Sequence, residues 1–257
     1  MISSEKVCVV TGGGAGIGRA CVHRFSGEGY RVLLGDMSKE DGEKTLTEIN
    51  DTGGEALFRH GDVSDDASCR DWAETALTQW GRIDTLVANA GARVYGSILD
   101  ATDEEWEKIL AVNLRGVARC CKAVLPVMIE QGSGSIVIIS SANALVGRAD
   151  MPLYDATKAA VLSLVRSLAV AHGKDGIRVN GICPGFTVTD FHERRADADG
   201  VSPEQLRNDN QGYALLGRPA EPREIASAVY FLAGEDAAMI TGQTLMVDAG
   251  FSVTAGR

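Results

Sequence analysis

The sequence is poor in cysteine, histidine and aromatic residues, and it has no long apolar run. Six of the 257 residues are Cys and four are His. Neither type occurs in the closely spaced pairs typical of metal sites, so we expect no bound metal. No apolar run approaches the ~20 residues of a membrane-spanning helix, and the short polar segment 1–6 has no targeting character. These absences predict a cytoplasmic protein with reduced cysteines and no membrane partner.

Basic residues are scarce relative to acidic ones. The chain has 25 Lys and Arg against 35 Asp and Glu, which gives a formal net charge of -10. A surface of this sign repels polyanions, so we expect no nucleic-acid partner. Because 45% of the residues are hydrophobic, the chain can bury a sizeable core, and its length fits one domain spanning 1–257.

Short β-rich runs alternate with longer amphipathic runs along the whole chain. The strand-like runs are 7–11, 31–36, 55–60, 85–89, 135–140, 178–183 and 244–247. The helix-like runs are 16–28, 39–52, 65–80, 103–131, 153–172 and 221–232. The alternation predicts an α/β fold: a doubly wound, seven-stranded parallel sheet with helices on both faces, as in the Rossmann fold.

The polar segment 190–217 breaks this alternation. Long irregular segments in compact domains are usually functional, so we expect a loop that covers the substrate. A surface insertion without a function is the alternative.

A glycine-rich turn directly follows the first predicted strand and precedes a helix. Glycines let the backbone turn tightly and approach a pyrophosphate, whose charge is met by free N–H groups and by the positive end of the helix. The order of strand, turn and helix therefore predicts a dinucleotide site. Its candidate residues are Thr11, Gly12, Gly14, Gly16, Ile17 and Gly18.

Asp36 ends the second predicted strand. A carboxylate there can accept hydrogen bonds from the adenosine ribose, whereas a 2'-phosphate would meet a like charge. We therefore expect NAD as the cofactor, and NADP is the less favoured choice. The alternative is that Asp36 only caps the helix beginning near Lys39.

Further polar and small residues follow the third and fourth strands, at the same expected edge of the sheet. Asp62 and Val63 are placed to receive the adenine ring, and the turn Asn89-Ala90-Gly91 is small enough for a cofactor to lie close. Each also fits ordinary turn chemistry, an Asx-turn and a glycine turn.

Tyr154 and Lys158 are four residues apart and would project from one face of a helix, downstream of Ser141. Lowering a phenol pKa from ~10 to ~7 needs about 4 kcal/mol. One ammonium about 4 Å away supplies roughly that much at an effective dielectric of ~20. The spacing therefore suits proton transfer, although the same spacing also occurs on solvated helix faces.

In order and spacing, these motifs resemble the short-chain dehydrogenase/reductase family over essentially the whole chain. The matching motifs are Thr11-Gly12-x-x-x-Gly16-x-Gly18, Asn89-Ala90-Gly91, Asn113, Ser141, Tyr154-x-x-x-Lys158 and Pro184-Gly185-x-x-x-Thr189.

The resemblance implies four catalytic residues. Tyr154 would be the general acid or base. Lys158 would lower its pKa and hold the nicotinamide ribose, and Ser141 would bind the substrate oxygen. Asn113 would hold a water beside the lysine; without the resemblance, it would be interpreted as a buried amide in a kinked helix.

The resemblance also implies how the rest of the cofactor and the partner subunits are bound. Pro184, Gly185, Thr187 and Thr189 would lie over the nicotinamide. The two long helices, with the last helix and strand, would form a homotetramer. Val117, Val124, Leu164 and Leu168 fit such an interface, and core packing explains them equally well.

Two positions depart from the family pattern. Ala249 stands where glycine is commoner, and we expect little effect. Asn143 stands where many members have a small or apolar residue, and we expect it to contact the substrate together with Arg93. Phe186, Ser141 and Tyr154 complete the predicted substrate pocket. In the alternative, Arg93 points to solvent.

The predicted activity is hydride transfer between NAD(H) and a small, polar secondary alcohol or its ketone, such as a polyol, a sugar or a hydroxy acid. One alternative is an NADPH-dependent reductase of 3-oxoacyl thioesters or other ketones. Another is a dinucleotide sensor without catalysis, although the sequence retains Tyr154, Lys158 and Ser141.

Overall fold

A computed structural model describes residues 5–209 and 214–253. Its centre is a seven-stranded, all-parallel sheet with the strand order β3-β2-β1-β4-β5-β6-β7, so the predicted fold is confirmed. The strands are β1 Val7–Thr11, β2 Arg31–Asp36, β3 Ala56–His60, β4 Thr85–Ala88, β5 Gly134–Ile139, β6 Ile177–Pro184 and β7 Thr244–Val247. The order reverses between β1 and β4, where an open α/β sheet has its binding crevice.

Helices cover both faces of the sheet. In the described part of the chain they are α1 Gly16–Gly27, α2 Lys39–Asp51, α3 Asp66–Trp80, α4 Asp103–Leu110, α5 Val117–Gln131, α6 Pro152–His172, α7 Asp190–Ala198, α8 Pro203–Asp209 and α9 Pro222–Ala233. Most helix and strand ends lie within a residue of their predicted positions. The turn glycines set several of them: Gly81 and Gly132 end α3 and α5 in the left-handed conformation.

Two apolar clusters, one on each face, hold the sheet and helices together. One packs α3, α5 and α6 against the sheet around Trp72, Leu86 and Val165. The other packs α1 and α9 around Phe25 and Val229. None of the helices within 5–209 and 214–253 is long and apolar enough to cross a membrane.

The prediction of one continuous helix over 103–131 is wrong in the middle of this segment. A π-helical turn, Ala111–Gly116, separates α4 from α5. Asn113 in this turn is fully buried and makes its hydrogen bonds to other elements. Apolar periodicity alone does not reveal such a turn, because apolar residues continue on both sides of it and no glycine or proline marks a break before Gly116.

The predicted irregular loop 190–217 is also wrong in part, because it contains α7 and α8. α7 begins directly after Thr189, whose hydroxyl lies 2.9 Å from Nδ1 of His192 in the first turn. Both helices are polar, so hydrophobic periodicity does not indicate them. The one local signal is Pro203, because proline is common at the first position of a helix. Residues 210–213 of this segment lie outside the described part.

Candidate active site

A cavity of about 1610 Å³ opens at the carboxyl edge of the sheet. It exceeds the ~300 to 1,000 Å³ of a common small-ligand pocket, which leaves room for a dinucleotide and a second molecule together. Most of the predicted site residues line it: Gly12, Gly16, Ile17, Asp36, Asp62, Val63, Asn89, Ala90, Gly91, Arg93, Ser141, Asn143, Tyr154, Lys158, Pro184, Gly185, Phe186, Thr187 and Thr189.

The glycine turn after β1 is shaped for close approach of a ligand to the backbone. Gly12 and Gly16 have φ angles of 65° and 55°, in the left-handed region that favours glycine. A Cβ atom at Gly18 would lie 1.9 Å from the Gly12 carbonyl oxygen. The turn therefore needs glycine at these positions and fits the pyrophosphate of a dinucleotide.

Thr11 and Asn89 join the ends of β1 and β4 beneath this turn. The Asn89 side-chain amide donates to the main-chain oxygens of Thr11 and Gly12 at 3.0 and 3.1 Å. In return, the Thr11 hydroxyl accepts from the backbone N–H groups of Asn89 and Ala90. The two side chains thus fix the glycine turn, which is a structural role beside any contact to a cofactor.

Asp36 faces the cavity from the end of β2. One of its carboxylate oxygens accepts from the Gly14 N–H at 2.9 Å, and the other accepts from the Ser38 N–H at 2.8 Å. The cap of α2 is instead the Ser38 side chain, so the alternative role of Asp36 as the helix cap is not what the structure has. The carboxylate is held beside the glycine turn with lone pairs left for ribose hydroxyls.

Asp62 and Val63 follow β3 at the same edge. The Asp62 carboxylate accepts from the Ser64 N–H at 2.8 Å, which is an Asx-turn. Val63 is buried against the π-helical turn, since a Cβ at Gly116 would come within 2.8 Å of it. Both residues line the cavity while also serving the local turn.

Asp190 meets the start of α1, a contact that the sequence does not signal. Its carboxylate accepts from the Gly16 N–H at 2.7 Å and pairs with Arg19 at 2.8 Å. An anion is favourable at a helix N-terminus. This pair ties α7 to the glycine turn across 174 positions of sequence.

Lys158 lies at the other end of the cavity, on α6, and is almost fully buried. Its ammonium donates to the Ile139 carbonyl at 2.9 Å and lies 5.7 Å from the centre of the Tyr154 ring. Burial, reinforced by the nearby charge of Arg93, lowers the pKa of Lys158 to about 8. The spacing on one helix face is as predicted.

The predicted depression of the Tyr154 pKa by Lys158 does not appear. Burial raises the pKa of Tyr154, and the groups that oppose this rise are Arg93 and Ser141 rather than the lysine. The lysine ammonium is turned toward the Ile139 carbonyl and the ring, whereas Arg93 and Ser141 face the hydroxyl. Burial therefore decides the direction of the shift in the Tyr154 pKa, and the main charge that opposes it is Arg93, a residue after β4.

Ser141 and Asn143 form a short 3-10 turn after β5. The Ser141 hydroxyl accepts from the Asn143 N–H at 3.2 Å. The Asn143 side chain interacts with Asp155 and lowers the pKa of that carboxyl group, although burial raises this pKa overall. The preceding Ser140 donates to the Lys158 carbonyl at 2.7 Å and so fixes β5 to α6. The sequence did not single out this role of Ser140.

Asn113 connects the π-helical turn to two other elements. Its side-chain amide donates to the Ala92 carbonyl and the Thr157 hydroxyl, both at 3.0 Å. Its side-chain oxygen accepts from the Ala92 N–H at 2.7 Å. Thr157, which lies between Tyr154 and Lys158, donates in turn to the Tyr154 carbonyl. Asn113 thereby positions the turn after β4 against the start of α6.

The segment after β6 passes over the cavity. A Cβ at Gly185 would come within 2.7 Å of the Asp248 backbone, so this glycine allows close packing against the C-terminal region. The Thr187 hydroxyl donates to the Gly185 carbonyl at 3.2 Å. Thr189 lies over the glycine turn, since a Cβ at Gly16 would be 3.2 Å from it.

Arg93 is half-buried and does not point to solvent. Its guanidinium is 3.2 Å from Nε2 of His192 and lies 4.6 Å from the centre of the Phe191 ring. The ring of Phe186 meets His192 edge-on at 5.0 Å. These side chains form the end of the cavity next to Tyr154.

Ala249, near the C-terminus, has a φ angle of 52°. Ala is strained in this left-handed region, whereas glycine is not. The departure from the family pattern at this position therefore has a physical consequence, contrary to the prediction of little effect.

Comparisons with known proteins agree with this geometry. A family model described as enoyl-(acyl carrier protein) reductase matches residues 12–252. A meso-2,3-butanediol dehydrogenase of Serratia marcescens is 37% identical over 98% of this chain and 97% of that protein. A cis-4-hydroxycyclohexanecarboxylate dehydrogenase of Sinomonas cyclohexanicum is 36% identical over 97% of each. The crystal structure of a levodione reductase superposes with a TM-score of 0.91 at 33% identity, covering 97% of this chain and 98% of that one.

Proposed function

Because the chain belongs to the short-chain dehydrogenase/reductase family, an oxidoreductase family that acts on alcohol groups with a nicotinamide dinucleotide, we propose that it interconverts a small secondary alcohol and its ketone with NAD. The observation that carries this proposal is the shared cavity. It joins the glycine turn and Asp36 at one end to Ser141, Tyr154 and Lys158 at the other. The catalytic unit is one domain spanning 1–257.

The side chains divide the chemistry of alcohol oxidation between them. When bound, the oxidised nicotinamide accepts the hydride that leaves the carbinol carbon. In ketone reduction the Tyr154 phenol gives its proton to the carbonyl oxygen, the direction that its raised pKa favours, and alcohol oxidation returns the hydroxyl proton to the deprotonated Tyr154 as the C=O bond forms. Ser141 donates a hydrogen bond to the same substrate oxygen. Lys158 holds the nicotinamide ribose, and Asn113 supports the adjoining proton path.

Replacing Tyr154 tests this assignment. Tyr154→Phe keeps the ring but removes the hydroxyl, so we expect turnover to fall at least 1,000-fold, roughly the upper range of acid-base catalysis, while NAD binding stays within about threefold. Tyr95→Phe is the matched control, because Tyr95 lines the same cavity and contacts Arg195 instead. Activity retained in Tyr154→Phe would rule out the assigned proton donor.

NAD rather than NADP is proposed from the position of Asp36. A carboxylate fixed beside the glycine turn accepts bonds from ribose hydroxyls and repels a 2'-phosphate. Titration with NADH and NADPH, followed by nicotinamide fluorescence, should show tighter NADH binding. Asp36→Ser should reduce the preference at least tenfold, about 1.4 kcal/mol, whereas Asp62→Asn should affect both cofactors alike. Tighter NADPH binding by the wild type would favour the alternative, a 3-oxoacyl thioester or other ketone reductase.

A dinucleotide sensor without catalysis is the alternative of another class. Tyr154, Lys158 and Ser141 line one cavity. A protein that only binds the dinucleotide does not need these three side chains together. Screening secondary alcohols with NAD distinguishes the two functions. Cofactor binding without turnover of any alcohol, in either direction, would favour the sensor.

A homotetramer is proposed for the assembly, through α4 to α6 on one surface and α9 with β7 on the other. Val117 and Val124 are core residues, so they do not support an interface. Support comes instead from exposed apolar side chains near α9 and β7: Phe231, Met239 and Leu245. Sedimentation at the mass of one 27.1 kDa chain would rule the tetramer out.

A cytoplasmic location is proposed because all six cysteines are free and buried. Unpaired thiols persist in a reducing compartment. Fractionation of the source cells, with immunodetection of the protein, would check this.

A further inference from the structure

Arg93 carries a charge that has no carboxylate partner among the described residues. Within residues 5–209 and 214–253, no Asp or Glu oxygen lies within 4.0 Å of its guanidinium. Its neighbours are instead an imidazole, an aromatic ring and the Tyr154 hydroxyl. Half-buried arginines are usually paired, because burying a lone charge is costly. An unpaired guanidinium at the wall of a cavity is free to bind an anion.

His192 and Phe191 fix the direction of this guanidinium. Burial lowers the pKa of His192 to about 4, so its imidazole is neutral at physiological pH. Its Nδ1 lies 2.9 Å from the Thr189 hydroxyl. With the ring proton on Nδ1 and donated to Thr189, Nε2 is left to accept from Arg93 at 3.2 Å. His192 is therefore a positioning residue for Arg93 and does not compete with it as a cation.

The guanidinium faces the place where the substrate oxygen must lie. Arg93 and Ser141 are the two groups that pull the pKa of Tyr154 down against burial, so both are close to its hydroxyl. Arg93 also lowers the pKa of Lys158. Two cations thus sit together at the reactive end of a protein whose formal net charge is -10. This local reversal of sign attracts an anionic substrate.

We propose that Arg93 binds the carboxylate of the substrate, which makes this enzyme a dehydrogenase of short hydroxy acids, with the carboxylate one or two carbons from the carbinol carbon. This inference rests on the proposed function and names its substrate class. The short spacing follows because Arg93 and the carbinol oxygen both lie at the Tyr154 hydroxyl. A planar guanidinium suits a carboxylate, since it offers two parallel N–H donors.

Asn143, the other polar candidate, does not provide this charge recognition. Its amide interacts with Asp155, and an amide carries no charge. Arg148 also lines the cavity, but Asp150 balances it at 3.0 Å. Arg195 pairs with Asp199 at 3.9 Å, so among the arginines that line the cavity Arg93 is the one without a carboxylate within 4.0 Å in the described residues.

Acids and their neutral amides of the same shape test the proposal. Racemic 3-hydroxybutyrate and 3-hydroxybutyramide, with lactate and lactamide, would be compared by kcat/KM with NAD in the wild type, Arg93→Ala and Arg93→Lys. Arg148→Ala is the matched control, because it removes an arginine that already has a carboxylate partner. Calorimetry of acetoacetate and acetoacetamide, added to the enzyme with oxidised NAD, measures binding without turnover.

We expect the wild type to prefer at least one acid over its amide by about 10- to 100-fold, the usual worth of a charge-assisted pair. Arg93→Ala should abolish this preference in kcat/KM and in acetoacetate binding. Because Arg93 also acts on the Tyr154 hydroxyl, the acid-to-amide ratio is the quantity compared, and not either rate alone. Arg93→Lys should retain part of the preference, and Arg148→Ala all of it. His192→Phe should raise KM for the acid while leaving kcat nearly unchanged.

Equal use and equal binding of acid and amide by the wild type would overturn the proposal, as would equal losses on both in Arg93→Ala. If Arg93→Ala does not fold, the wild type and Arg93→Lys decide the question. A failure of the proposed function looks different. In that case acetoacetate still binds through Arg93, but no alcohol reduces the nicotinamide. Turnover of neutral alcohols without an acid preference would instead leave the proposed function standing and refute the role of Arg93.

Discussion

Replacing Lys158 by methionine should stabilise the cofactor-free protein at pH 7 although it destroys the active site. Burial lowers the pKa of this lysine from 10.5 to about 8. At about 1.4 kcal/mol per pKa unit, the buried ammonium costs the folded state about 3 kcal/mol when it is charged. Methionine fills a similar volume without a charge, and it leaves the Ile139 carbonyl without its donor, which costs about 1 kcal/mol. The expected net gain is about 2 kcal/mol.

The gain has a defined pH dependence. Below pH 8, Lys158 is charged in both the folded and the unfolded wild type, so the full cost is present. Between pH 8 and 10.5 the folded protein releases this proton while the unfolded chain keeps it, so the stability of the wild type rises relative to the variant. Near pH 9.5 the wild type has recovered about 2 kcal/mol, and the advantage of Lys158→Met should be close to zero.

Urea unfolding at a fixed protein concentration, at pH 7 and pH 9.5, measures both quantities. Lys44→Met on α2 is the matched control: Lys44 is exposed, and its replacement should stay within about 0.5 kcal/mol at both pH values. Turnover by Lys158→Met should be lost. A variant no more stable than the wild type at pH 7, or an advantage that does not shrink at pH 9.5, would refute the argument that a buried charge is maintained here at the expense of stability.

Three further predictions concern the backbone and a second buried base. Ala249→Gly should stabilise the protein by roughly 1 kcal/mol by relieving the left-handed strain, as seen in a higher Tm; an unchanged Tm would contradict this. Gly18→Ala should weaken NADH binding more than tenfold, about 1.4 kcal/mol, because its Cβ would overlap the Gly12 carbonyl, whereas Gly27→Ala, with open space around it, should not. As the pH falls from 6.5 to 4, the wild type should lose up to about 3 kcal/mol relative to His192→Gln, since the unfolded chain takes up the proton first; parallel urea titrations would disprove this.

The sequence predicted the sheet and most helices well because their signals are local. Both faces of the central strands are buried, as Val9 and Leu34 show on opposite faces of the sheet. These strands therefore form continuous apolar runs in the sequence. Gly81 and Gly132 mark helix ends where the backbone takes the left-handed conformation, which glycine adopts most easily. The glycine turn and the spacing of Tyr154 and Lys158 are equally local, so the predicted residues meet in one cavity.

The errors arose where distant residues decide the structure. No local pattern shows that Asp190 meets the start of α1, or that α7 and α8 form from polar residues. The pKa of Tyr154 was attributed to Lys158, the nearest cation along the chain, whereas Arg93 acts on its hydroxyl from another element. Such electrostatic relations depend on which way the side chains turn, and spacing in sequence does not determine this.

The π-helical turn Ala111–Gly116 is equivalent to an α-helix that contains one residue too many. A chain one residue shorter at this point could run as an unbroken helix from α4 through α5. The deletion would rotate everything on one side of it by about 100° relative to the other. Asn113 would then turn away from Ala92 and Thr157. Natural length variation should therefore be excluded from this turn, although a shorter chain would form the more regular helix.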